Sequence, residues 1–137
     1  MMDNLPKPLG SYSHYKIIDK FVYIAGQGSR DYITNQEAGI TIDESGKLIT
    51  YDIKAQTRGC LDNLKRVLEK INLSLENVVD VTVFLKNMDD FKDYNDVYAQ
   101  YFDFLNPPTR TTIGVLDLPG RNFIEIKAIA YIEDKQS

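Results

Sequence analysis

Two side chains in this 137-residue sequence stand where they could do chemistry, Arg110 and Glu125. Arg110 follows Pro107-Pro108-Thr109 and opens a β-rich run. Its planar, permanently charged fork matches a carboxylate, although a solvated surface arginine is the plainer reading. Glu125 falls in the middle of the run Phe123 to Ile132, on the same side as Phe123, Ile129 and Tyr131. A carboxylate in such company is partly desolvated, which raises its pKa toward acid–base use; a cross-strand ion pair is the plainer alternative. The single histidine, His14, has no spacing that supports a Ser–His–Asp arrangement and reads as a surface or packing residue. The single cysteine, Cys60, lies in an apolar helical stripe and reads as a small buried thiol. One histidine and one cysteine are too few for a Cys/His zinc site, so neither a metal nor an organic cofactor is expected. There is no Walker loop, and Gly26-Gln27-Gly28 lacks the third glycine and following helix of a dinucleotide site. No G-x-S-x-G elbow is present.

The elements that must position these residues are legible. Tyr15–Ile18 and Phe21–Ala25 flank Asp19-Lys20 and predict a hairpin, as do Ile40–Ile42 and Lys47–Ile49 around Asp43-Glu44-Ser45-Gly46. Ile53, Thr57, Cys60, Leu61, Leu64, Val67, Leu68 and Ile71 recur at helical spacing. Asp52 is the expected N-cap of that helix and Asn72 its end. Gly59 within it weakens the helix by about 1 kcal/mol relative to alanine and admits a close backbone. Val78 to Lys86 alternates as a strand, with Val79, Val81, Val83 and Leu85 on one face. A second helix is expected from Met88 to Phe104, capped by Asn87, with Phe91, Tyr94, Tyr98, Tyr101 and Leu105 as its stripe, widened by Val97 and Phe102. Thr111–Val115 and Phe123–Ile132 are the last strands, the second burying Ile124, Ile126, Ala128, Ala130 and Ile132. The order β-β-β-β-α-β-α-β-β predicts an α+β sandwich, a mixed sheet with two helices on one face. The other face keeps Phe84, Phe123, Ile129 and Tyr131, an apolar patch that suggests oligomerisation.

Length predicts one domain, residues 1–137. A net charge of −4 argues against a nucleic-acid partner and an anionic membrane surface. No apolar run approaches the roughly 20 residues of a membrane span. Met1-Met2-Asp3-Asn4-Leu5-Pro6 lacks a basic region followed by an apolar one, so no secretory signal is expected. The lone cysteine suits a reducing, cytoplasmic setting.

Several segments in order resemble the reactive-intermediate deaminase (YjgF-like) family over nearly the whole chain. They are Gly10-Ser11-Tyr12-Ser13-His14, Phe21–Gln27, Gln56-Thr57-Arg58 through Asn63-Leu64, Val79–Leu85, Met88–Phe91, Asn95–Tyr98, Arg110-Thr111-Thr112 and Ile124–Ala130. The resemblance implies a chorismate-mutase-like α+β fold, a homotrimer and active sites between subunits. Carried over by position, Arg110 holds a substrate carboxylate, Glu125 activates the attacking water, and Tyr12 lines the pocket. Gly26 offers a backbone group, Asn95 approaches the cleft, and Thr112 stands where many members have cysteine. Ser11 and Ala25 depart from the usual proline and serine. The pattern is closest to 2-aminomuconate deaminases, through Gly10-Ser11, Gly28-Ser29-Arg30, the longer stretch Tyr32–Tyr51 and Tyr94–Ala99. In that reading Arg30 is an extra cation for a second carboxylate; an exposed loop charge is its plainer role. The expected activity is hydrolysis of a carboxylate-bearing enamine or imine to an oxo acid and ammonia. The alternatives are a broad 2-iminobutanoate/2-iminopropanoate deaminase and a non-catalytic carboxylate-binding trimer.

Overall fold

The computed structural model describes residues 4–103 and 105–133. Met1–Asp3, part of the segment read for a secretory signal, and Phe104, the expected end of the second helix, lie outside the described residues. The elements follow the expected order: β1 (Tyr15–Ile18), β2 (Phe21–Gln27), β3 (Ile40–Ile42), β4 (Leu48–Tyr51), α1 (Ile53–Lys70), β5 (Val78–Leu85), α2 (Phe91–Tyr101), β6 (Thr109–Gly114) and β7 (Ile124–Tyr131). Five strands form one sheet in the order β1-β2-β7-β5-β6, and β3-β4 stand apart as a two-stranded ribbon. The crossover through α2 makes β5 and β6 parallel, while β7 runs antiparallel to both β2 and β5.

Local chemistry sets the boundaries. Asp52 accepts from the Lys54 and Ala55 amides at 3.0 and 3.1 Å and starts α1. Asn72 follows the helix at φ 59°, the left-handed conformation asparagine tolerates. The stripe from Ile53 to Leu68 is buried against β2 and β7, with Ile71 half-buried. Asp19, at φ 55°, turns the first hairpin. A Cβ on Gly59 would stand 3.0 Å from the Ser29 carbonyl oxygen, so this glycine does admit the backbone that follows β2.

Three expectations need correction. Val79 is 42% exposed while Val78 is buried, because the β5–β7 register slips between Val78 and Asp80. A bulge turns one residue outward without disturbing the alternation of Val81, Val83 and Leu85. Helix α2 proper is shorter than the run of aromatics suggested. Asn87 caps a 3-10 turn over Met88–Asp90, α2 ends at Tyr101, and Leu105 is fully exposed as the chain turns toward Pro107-Pro108. Phe123 stacks on Tyr51 at 3.6 Å instead of joining the open sheet face.

That open face remains apolar. Ile18, Phe21, Tyr23 and Ile113 are each more than 40% exposed, beside half-buried Phe84, Ile129 and Tyr131. Among the described residues no helix is long and apolar enough to cross a membrane.

Candidate active site

Strand register decides where the two candidate side chains point. Arg110 lies beside Val81, which lies beside Ala128. Val81 and Ala128 are 0% and 1% exposed, on the face that the helices cover. Residues in register share a face, so Arg110 projects toward α2. There its Nη1 donates to Asn95 Oδ1 at 2.7 Å. Its guanidinium lies 4.6 Å from the Tyr98 ring centroid, 5.4 Å from that of Tyr94 and 5.8 Å from that of Phe91. Thr112, two residues further along β6, pairs through its hydroxyl with Tyr94 at 2.5 Å. Arg110, Asn95 and Thr112 therefore form one group, at the edge strand of the sheet.

Glu125 lies beside Phe84, which lies beside Ile113, on the helix-free face. Burial raises its carboxyl above the ordinary glutamate range. Strand β2 bulges between Ile24 and Gln27, next to this carboxylate. A Cβ on Gly26 would stand 2.9 Å from the Glu125 carboxyl carbon, so only glycine leaves that side chain its place. Tyr12, Gly26, Arg30, Asn63, Asn122 and Glu125 line a cleft of about 340 Å³. A larger groove of about 1100 Å³, bounded by Lys7, Tyr15, Tyr32 and Asn35, shares Pro6, Leu9, His14 and Arg30 with it. Tyr12, Gly26, Arg30 and Glu125 thus form the second group.

The two groups do not meet within one chain. Arg110 is two strands and three residues from Glu125 in register, roughly 14 Å between Cα atoms at ordinary strand dimensions, and the side chains leave opposite faces. Each chain holds an Arg110 group and a Glu125 group that face apart.

Three buried amides hold the rim of the cleft, and sequence reasoning missed them. Gln56 donates to the Arg121 carbonyl at 2.9 Å and accepts from the Phe123 amide at 2.7 Å. Asn63 donates to the carbonyls of Gly28 and Arg30 at 3.0 and 2.9 Å. Asn122 accepts from the Ser29 amide and hydroxyl at 2.8 and 2.7 Å and donates to the Pro119 carbonyl at 3.1 Å. The signal was available for two of them, since Gln56 and Asn63 interrupt the apolar stripe of α1 at core-facing positions.

His14 accepts from Gln27 Nε2 through Nδ1 at 3.5 Å, and its Nε2 then donates to the Pro6 carbonyl at 2.7 Å, a packing role that ties down the N-terminal segment. Cys60 is fully buried, its thiol donates to the Ile124 carbonyl at 3.4 Å, and burial pushes its pKa well up. Arg30 donates through Nη1 to Asn35 Oδ1 at 2.6 Å and through Nη2 to the Lys7 carbonyl, both of which line the larger groove. Gly26→Ala is expected to lower kcat/KM by about 10- to 100-fold through displacement of the carboxylate. Steady-state assay, with circular dichroism as the folding control, checks this.

The profile of the family described as endoribonuclease L-PSP matches residues 2–132. The chain belongs to this family. A RutC family protein of Pyrococcus horikoshii is 43% identical over 132 residues, covering 96% of this chain and 94% of that protein. A 2-iminobutanoate/2-iminopropanoate deaminase of Dermatophagoides farinae is 32% identical over 129 residues, covering 93% and 91%. Among solved structures, the YjgF gene product of E. coli superposes with a TM-score of 0.79 at 30% identity, covering 94% of each chain. E. coli TdcF with bound serine gives 0.80 at 28% identity, covering 96% of this chain and 95% of that one. The L-PSP family is thus the reactive-intermediate deaminase group that the sequence resembles, and it includes a protein named as an imine deaminase.

Proposed function

We propose that this L-PSP family member hydrolyses a carboxylate-bearing enamine or imine to a 2-oxo acid and ammonia, in sites built between the chains of a homotrimer. The observation that carries this reading is the division of the chain into two halves on opposite sheet faces. Arg110 supplies a bidentate anchor for the carboxylate beside the reacting carbon. Glu125 of a neighbouring copy accepts a proton from water as the oxygen attacks the imine carbon. An enamine first tautomerises to the imine. The proton taken by Glu125 passes to the imine nitrogen, which gives a carbinolamine; its hydroxyl proton then moves to nitrogen as the C–N bond breaks, so ammonia leaves and a carbonyl remains. Positioning supplies most of the acceleration. The apolar helix-free face supports association, since exposed patches of that kind mark interfaces. A net charge of −4 disfavours the ribonuclease activity in the family's name.

Mixing two inactive proteins tests both parts. Arg110→Ala and Glu125→Gln chains, unfolded together at equal amounts and refolded, should regain about a quarter of wild-type ammonia release on 2-iminopropanoate. A cyclic trimer of random composition contains that share of sites with both residues intact. No recovery in assemblies of trimer mass would place both residues in one chain's site and sink the reading.

Arg30 favours a narrower substrate. It stands on the wall between the small cleft and the larger groove, where it would meet the second carboxylate of 2-aminomuconate. Arg30→Ala should then lower kcat/KM about tenfold on 2-aminomuconate and leave 2-iminopropanoate unaffected. Equal effects on the two substrates would favour the broad imine deaminase.

A further inference from the structure

We infer that Tyr98, flanked by Phe91 and Tyr94 in an aromatic collar, is the platform that positions the Arg110 guanidinium to receive a carboxylate edge-on. This rests on the proposal that Arg110 binds the substrate carboxylate. Arg110 is the second residue of an edge strand, where a long side chain has many rotamers to lose. One contact, to Asn95, fixes one end of the fork but not its plane. The nearest ring, Tyr98, supplies the platform, and the other two act as walls, since Tyr94 is inclined 72° to Tyr98 and 88° to Phe91 and one planar group cannot lie flat on all three. The rings stand at positions 91, 94 and 98, successive turns on one side of α2, and the nearest, Tyr98, lies 4.6 Å from the guanidinium carbon. Tyr94 and Tyr98 are 0% and 7% exposed, so packing holds them still. A guanidinium resting on a ring face keeps its in-plane donors free, and those match the two oxygens of a planar carboxylate.

The two tyrosines divide the work. The Tyr94 hydroxyl pairs with Thr112, so that ring is also a strut between α2 and β6. The Tyr98 hydroxyl is buried and has no hydrogen-bond partner among the described residues. Its part is therefore played by the ring alone. Burial pushes that hydroxyl up to about 12. It stays neutral, and the positive charge of Arg110 remains available to the substrate.

The test compares Tyr98→Phe with Tyr98→Leu in the assembled protein. Pyruvate, a stable 2-oxo acid, is the binding probe by calorimetry, and 2-iminopropanoate is the substrate. Tyr98→Phe keeps the ring and should bind pyruvate within about twofold of wild type. Tyr98→Leu should weaken pyruvate binding and raise KM by about tenfold, with kcat changed less than about threefold. If Tyr98→Leu fails to assemble, Phe91→Leu, at a 37% exposed position, should give the same pattern at about two- to threefold. A folded Tyr98→Leu assembly that binds pyruvate as wild type overturns the inference, and so does a Tyr98→Phe as impaired as Tyr98→Leu. Pyruvate binding that depends on the ring in a protein that releases no ammonia supports the collar and defeats the deaminase reading. A wild-type protein that binds no pyruvate overturns both.

Discussion

Glu125→Gln is expected to slow ammonia release by about 100- to 10,000-fold, the usual contribution of a positioned base. Glutamine keeps the size and hydrogen-bonding reach of the side chain but cannot take the proton from water, so pyruvate binding should persist. In the wild type, kcat/KM should fall as pH drops through the Glu125 pKa. That acidic limb should lie above the ordinary glutamate range, because burial raises this carboxyl. Stability should move the other way from activity. A carboxyl whose pKa is raised by folding is costly to fold when ionised. The penalty is complete above its folded pKa and disappears below the unfolded value of about 4.3. The glutamine variant should therefore melt at a higher temperature than wild type at neutral pH, with the difference vanishing toward pH 4. Wild-type turnover in Glu125→Gln would remove this residue from the mechanism.

Arg110→Ala should abolish carboxylate binding and reduce kcat/KM by about 30- to 1000-fold, the loss of a charge-assisted pair in a partly dry cleft. Within its own group nothing replaces it, since Asn95 and Thr112 are uncharged. Arg110→Lys should recover little. A lysine carries a point charge on a flexible stem, and its ammonium cannot both hold Asn95 and present two parallel donors. Folding and assembly mass should be unchanged in both variants, because Arg110 is only half-buried at a sheet edge. Tight pyruvate binding by Arg110→Ala would move the anchor elsewhere, with Arg30 the next residue to vary.

Much of the frame was legible because single residues carried unambiguous physics. Asp52 and Asn72 bracket a helix whose period is plain, and the alternation from Ile124 to Ala130 puts Glu125 on the side away from the helices. What escaped was non-local. The slip at Val79 comes from pairing with β7, some 50 residues later in the chain. The exposure of Leu105 comes from where the chain must go after α2, which aromatic spacing cannot express. Phe123 alternates with Glu125 but finds Tyr51, a partner set by the separate ribbon. The face of Arg110 could not be read from Thr-Arg-Thr-Thr, a run with no apolar alternation. Only its register beside Val81 reveals that it turns away from Glu125.

The amides of Gln56, Asn63 and Asn122 bear on how the cleft works in time. They fasten the Gly28–Arg30 and Pro119–Phe123 backbones to α1 and to each other, and the two Ser29–Asn122 bonds are fully buried. Opening either segment means breaking those bonds together, so these two parts of the rim have no hinge of their own, while Pro6, Leu9 and Tyr12 line the cleft outside this fastening. The Ser29 and Phe123 amides should exchange their hydrogens with solvent only when the α1 region unfolds. A molecule entering the cleft would therefore meet a fixed wall on the α1 side, and any loop motion that timed its entry would have to come from the segment that carries Pro6 to Tyr12.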